Sequence, residues 1–186
     1  MNPSPNAHAL TSVRLNMLHR REILGNMIIS CKLKRGAELG VGSAPTTLWL
    51  LDRFPELEWI GVDHFPAGFE LIDGTKMPQE RQDKYRANYA MLVEKFAPRL
   101  TWLDLPCPEA AAKVEDASLD IVFIDDDHSY EGCKASIEAW RPKVRKGGFL
   151  TGHDYSKERF PGVYRAVNEL VPDFQLLDDF VWVVQI

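Results

Sequence analysis

Nowhere in the 186 residues does an apolar run approach the ~20 residues of a bilayer-spanning helix, so no membrane partner is expected. Cysteine is scarce. Cys31, Cys107 and Cys133 are odd in number, widely spaced and without a CxxC pair, which argues against a disulfide scaffold or a zinc site. A reduced, cytoplasmic chain is the expectation. Positive charge is also in short supply: the net charge of −5 argues against a general nucleic-acid binder, which needs a basic surface. Residues 1–9 (MNPSPNAHA) lack the basic-then-apolar order of a secretory signal and read as a loose tail. No internal repeat or low-complexity segment is present. What remains is ordinary globular composition, 45% hydrophobic and 26% charged, in a length that suits one domain.

The basic residues that do occur concentrate early, at Arg14, His19, Arg20, Arg21, Lys32, Lys34 and Arg35. They are read as a solvated helix face, with recognition of an anionic substrate as the alternative. From Ala9 to about Cys31, apolar residues recur at helical spacing, either as one helix interrupted near Gly25 or as two shorter ones. Residues 1–34 are therefore a tail and helical segment packed on a domain spanning 35–186.

Within that domain, strands and helices alternate. Ala37–Leu39 leads through a glycine turn to a helix from Pro45 to Arg53, where proline suits the first turn. Leu57–Val62 is a second strand. A long loop, Phe65–Pro78, precedes a helix over Gln79–Phe96, and Leu100–Leu103 is a third strand. A short helix over Glu109–Val114 leads to a fourth strand, Leu119–Ile124, apolar enough to be buried on both faces. A helix over Tyr130–Val144 follows, with Gly147 and Gly148 as its C-terminal cap, then a fifth strand, Phe149–Thr151, and a helix over Val163–Leu170. The short Asp178-Asp179 connection forces Phe174–Leu177 and Phe180–Ile186 into an antiparallel hairpin. The expected fold is α/β: a Rossmann-like, doubly wound, mostly parallel seven-stranded sheet with an antiparallel C-terminal hairpin edge.

Chemistry gathers where strands end. In open α/β sheets, ligands bind outside the carboxyl ends of the strands. The fourth strand runs straight into Asp125, Asp126, Asp127 and His128, a crowd of charge that reads as a site, or else as a solvated acidic turn. The first strand ends in Glu38-Leu-Gly-Val-Gly-Ser43, whose Gly40 and Gly42 let a ligand approach main-chain N–H groups. Asp63 closes the second strand, 21 positions beyond Gly42, where a carboxylate can accept ribose hydroxyls. Pro45 occupies the place of the third glycine of a dinucleotide fingerprint, and Glu38 adds negative charge that suits a cationic cofactor better than a diphosphate. S-adenosylmethionine fits this pattern better than NAD.

AELGVGS, GVDHF, FIDDDHSYEG, RKGGFLTGHDY and GVYRAV together resemble class I S-adenosylmethionine-dependent methyltransferases over about residues 35–186. The nearest subgroup is similar to the small metal-dependent O-methyltransferases of the cephalosporin-hydroxylase and macrolide sugar O-methyltransferase type. The resemblance implies that Glu38, Gly40, Gly42 and Ser43 hold the methionine part of the cofactor, and that Asp63 holds the ribose with His64 beside it. Asp104 to Cys107 would then neighbour adenine. It further implies a divalent metal, Mg²⁺ or another, on Asp125, His153 and Asp154, with His128 as general base. His153 departs from the oxygen ligand usual at that place, and imidazole suits softer metals than Mg²⁺. Asp126 and Asp127 are read as solvent-facing or helix-capping. The expected reaction is O-methylation of a small hydroxylated acceptor, and the N-terminal segment could pack on a twin subunit. A non-catalytic cofactor-binding module or partner subunit is the alternative.

Overall fold

A computed structural model of the chain describes residues 17–68 and 74–186. In chain order these form α1 (Arg20–Cys31), β1 (Arg35–Leu39), α2 (Pro45–Arg53), β2 (Glu58–Val62), α3 (Gln79–Phe96) and β3 (Leu100–Leu103). There follow α4 (Cys107–Ala110), β4 (Leu119–Ile124), α5 (Tyr130–Trp140), β5 (Val144–Gly152), α6 (Pro161–Leu170), β6 (Gln175–Leu176) and β7 (Trp182–Gln185). One sheet holds all seven strands in the order β3-β2-β1-β4-β5-β7-β6. The first five are parallel, and β7 runs antiparallel to both β5 and β6. The expected fold is the observed one.

β4 is apolar at nearly every position because it lies mid-sheet with helices on both sides. Its Ile121 and Phe123 join Ile23 and Leu24 of α1, Leu50 and Leu51 of α2 and Tyr89 of α3 on one face. Val122 and Ile124 join Ile137 and Trp140 of α5 and Val163 and Val167 of α6 on the other. The Trp140 indole N–H donates to the Cys107 carbonyl at 2.6 Å and ties α5 to α4.

Three local readings change. Gly25 does not interrupt a helix: α1 runs through it, because a Cβ there would stand 2.8 Å from the Trp49 ring, so glycine permits the close approach of α1 to α2. Gly147 and Gly148 do not cap α5. A 3₁₀ turn over Arg141–Lys143, carrying Pro142, ends that helix, and both glycines belong to β5. The Gly147 N–H donates to the Ile186 carbonyl at 2.6 Å, and Ile186 N–H to the Gly148 carbonyl at 2.9 Å. The short helix after β3 starts at Cys107, next to Pro106, and gives way to a 3₁₀ turn over Ala111–Lys113. The helix expected from Ala9 begins only at Arg20, with Met17 and Leu18 outside it; Leu10 and Val13, the loose tail and part of the long loop lie outside the described residues.

Candidate functional site

Parallel register sets the site. Leu39 pairs with Val62 on one side and Ile124 on the other, and Ile124 pairs with Gly152. The residues that follow each strand, Gly40, Asp63, Asp125 and His153-Asp154, therefore emerge along one edge. The chain turns one way from β1 to β2 and the other way from β4 to β5, so a crevice opens between the ends of β1 and β4.

Gly40 has a φ of 79°, in the left-handed region, and a Cβ there would stand 2.3 Å from the Asp125 carbonyl oxygen. Gly42, at φ 49°, has open space where its Cβ would be. Its N–H donates to Asp63 Oδ2 at 3.0 Å, while Phe65 N–H donates to Asp63 Oδ1 at 2.7 Å. Burial raises the Asp63 pKa, and these two N–H groups work against that rise. Each carboxylate oxygen keeps a second lone pair for a ligand hydroxyl.

A cavity of about 890 Å³ opens over this edge. Gly40, Gly42, Asp63, His64, Cys107, Asp125 and His128 line it; Glu38, Ser43, Asp104, His153 and Asp154 do not. Asp104 is paired with Arg86. Glu38 lies beneath the glycine turn, 2% exposed, accepting the Thr47 hydroxyl at 2.5 Å. Burial above all, with the nearby Asp125 adding, lifts its pKa from 4.5 to about 7, although the Thr47 hydrogen bond opposes the rise. An acid whose folded pKa exceeds its unfolded one destabilises the fold increasingly as pH rises between the two values. Glu38→Gln, which can still accept from Thr47, is expected to gain thermal stability over the wild type as pH climbs from 4.5 to about 7, with a constant difference above that range. Melting curves of both proteins across the range check it; a difference independent of pH would refute it.

The polar centre is a linked set. His128 Nε2 lies 2.7 Å from Asp154 Oδ2, and His153 Nδ1 lies 2.9 Å from Asp154 Oδ1. Asp154 reaches them from a left-handed φ of 60°, an uncommon conformation that aspartate tolerates and that functional sites often use. Burial works against ionising Asp154, but hydrogen bonds from the two imidazoles hold it well below the usual carboxylate range. Burial also works against charging His128; the Asp154 hydrogen bond and charge outweigh it and raise the imidazole pKa. Asp125 is the reverse case: burial lifts it to about 6 despite Arg20 and His153. The Phe160 ring stacks on His128 at 4.7 Å between centroids and 27° between planes.

Three placements were not legible beforehand. Arg20 was expected on a solvated helix face, yet its Nη1 stands 3.1 Å from Asp125 Oδ2 and 3.0 Å from His153 Nδ1. The helix start is anchored on the hairpin turn, where Leu18 N–H donates to Asp178 at 3.1 Å and Arg20 N–H to Asp179 at 2.8 Å. Asp126 does not face solvent or cap a helix. Its Oδ2 accepts the Ser136 hydroxyl at 2.6 Å, and its buried Oδ1 has no partner. The cap of α5 is Ser129, whose hydroxyl accepts from Gly132 N–H, while Asp127 accepts from Ser129 N–H as a turn residue does. Phe160 carries no chemical signature that sequence could offer; only α6 brings it to His128.

Asp125, His128 and Asp154 each offer one ligand atom within 4.8 Å of the others, close enough to share a metal ion. Their partners do not fit one. Asp125 faces Arg20, and both oxygens of Asp154 are engaged by imidazoles. The guanidinium already balances one of the two carboxylates, and at about 5 Å it would cancel roughly 6–7 kcal/mol of the attraction they offer a dication at an effective dielectric constant of ~20. With Arg20 in place, the centre does not suit a divalent ion.

The family model described as a methyltransferase domain matches residues 37–155. An uncharacterized protein, R132, from Acanthamoeba polyphaga mimivirus is 40% identical over 58 residues, which cover 31% of this chain and 26% of that protein. The chain thus matches about a quarter of that relative's length. Among solved structures, CalS11, a calicheamicin methyltransferase, superposes with a TM-score of 0.65 at 16% identity, covering 89% of this chain and 76% of its own. Cofactor-bound Rv0187 from MTB superposes at 0.62 with 15% identity, covering 92% and 82%. At such identities the likeness is one of fold.

Proposed function

The chain belongs to the family of methyltransferase domains, and on that premise we propose that it transfers a methyl group from S-adenosylmethionine to a hydroxyl of a small molecule, with His128 as general base. The observation that carries this reading is that His128, which lines the same cavity as Gly40, Gly42 and Asp63, lies 2.7 Å from Asp154. CalS11, which shares the fold, is named as a TDP-rhamnose 3'-O-methyltransferase, and this favours oxygen as the accepting atom.

The cavity suits the cofactor. A typical ligand pocket holds roughly 300–1,000 Å³, so about 890 Å³ leaves room for a nucleoside and a small second molecule. Asp63 accepts ribose hydroxyls, and Pro106, Cys107 and Pro108 offer an apolar wall to the adenine. Asp126 adds a carboxylate to the same lining. Glu38, buried under the turn, does not line the cavity.

Bound there, S-adenosylmethionine supplies an electrophilic methyl on a sulfonium, with neutral S-adenosylhomocysteine as the leaving product. The protein's part is alignment and proton removal. With Nε2–H donated to Asp154, the Nδ1 lone pair of His128 would take the proton of the acceptor hydroxyl. Asp154 holds the ring's tautomer and stabilises the imidazolium, as the carboxylate does in other acid–histidine pairs. Phe160 fixes the ring plane.

Calorimetry tests the premise. S-adenosylmethionine and S-adenosylhomocysteine are expected to bind, NAD not measurably, and Asp63→Asn to weaken binding about ten- to a hundredfold through its hydroxyl contacts. Preferential binding of NAD would sink the assignment. Binding without transfer to any hydroxylated acceptor would instead support a cofactor-binding module.

A further inference from the structure

The buried acidic centre needs a cation, and the chain supplies one from an unexpected place. Asp125 follows the end of β4, its backbone carbonyl against Gly40 and its carboxylate 3.7 Å from the imidazole of His153, with Asp154 just past the end of the next strand. Two carboxylates this close require positive charge nearby. The Arg20 guanidinium meets Asp125 at 3.1 Å and His153 at 3.0 Å, with only a quarter of its side chain exposed. Its position is not accidental to the helix. The N–H groups at the start of α1 are held by Asp178 and Asp179 of the turn between β6 and β7, and His153 Nε2 lies 3.6 Å from the same Asp179 carboxylate. Two segments remote in sequence are thus joined to deliver one guanidinium.

We propose that Arg20 is the resident cation of this site, a positioning residue that takes the place of a divalent metal beside Asp125. Arg20 does not line the cavity, so it acts on the reacting molecules only through its neighbours Asp125 and His153. The guanidinium keeps its charge at all accessible pH values and offers planar donors that match a carboxylate, so Asp125 is paired and fixed in place without an exchangeable ion. The proposal rests on the architecture of the centre and needs no particular acceptor.

The experiment uses the full chain with Mn²⁺ and Mg²⁺ alone as probes. For the wild type, equilibrium dialysis and paramagnetic resonance are expected to show no Mn²⁺ binding in the micromolar range. Tm is expected to be unchanged by either ion, and any methyl transfer to proceed equally in excess chelator. Arg20→Met removes the charge at similar length and exposes Asp125 and Asp154 to solvent cations. It is expected to acquire Mn²⁺ binding, with Tm rising about 3–6 °C at ion concentrations about tenfold above Kd. Arg20→Lys keeps a cation and should behave as the wild type does. Micromolar Mn²⁺ binding by the wild type, lost in Asp125→Asn, would overturn the proposal, as would a folded Arg20→Met variant that binds no metal. Should Arg20→Met not fold, the wild-type titration and Arg20→Lys still decide. None of these readings requires turnover, so an absence of methyl transfer would count against the proposed function and leave this inference standing.

Discussion

Replacement of His128 by alanine is expected to lower the rate of methyl transfer by about 10²–10⁴-fold, the usual worth of a positioned general base. Affinity for S-adenosylmethionine should stay within about threefold, because His128 is not among the residues proposed to hold it. The pH profile identifies the residue more sharply than the rate does. A base works only when unprotonated, and Asp154 raises the His128 pKa, so kcat/KM should climb with pH through a midpoint above the ~6.5 of free imidazole. Asp154→Asn removes the charge that raises it, and the midpoint should then move to lower pH, with the rate at its plateau also reduced. A His128→Ala enzyme that retained wild-type turnover would remove this histidine from the chemistry. An unmoved midpoint in Asp154→Asn would separate the pair.

The second large effect belongs to Gly40. A side chain at φ 79° costs about 1–2 kcal/mol by itself, and here its first atom would fall 2.3 Å from a backbone carbonyl that cannot swing aside. Gly40→Ala is therefore expected to lose about 2–4 kcal/mol. For a domain of this size that is a fall in Tm of roughly 5–15 °C. It should also weaken cofactor binding more than tenfold, because the overlap pushes the β1 turn away from the end of β4, where the crevice lies. Gly42→Ala provides the contrast. Its Cβ enters open space, so the cost is mostly the left-handed backbone, with a smaller loss of stability. Thermal melts and cofactor titrations of the two variants check both expectations; equal effects would refute the argument from the Asp125 carbonyl.

Strand ends were legible because burial on both faces leaves a plain mark: three to six mostly apolar residues bounded by glycine or acid. That pattern located Gly40, Asp63, Asp125 and Asp154 before any coordinates, since a parallel sheet lines up the residues that follow its strands. Errors fell where two local readings compete. Gly147-Gly148 suits a helix cap as well as a bulged strand, and only the pairing with Ile186 decides between them. Gly25 reads as a break until Trp49 is seen against it.

Asp126 and Asp127 show the limit most directly, being neighbours of one type with opposite fates. One turns inward to Ser136 and the other outward to cap a turn, a difference of backbone direction that composition does not encode. By itself, the sequence determined the sheet, its order of elements and the edge along which chemistry is placed, because these follow from periodicity and turn residues close together in the chain. Only the tertiary structure decided which charges meet. Arg20 reaches His153 across 133 positions because α1 is clamped to the hairpin. This contact and the Arg20–Asp125 ion pair follow from packing geometry, not from local pattern.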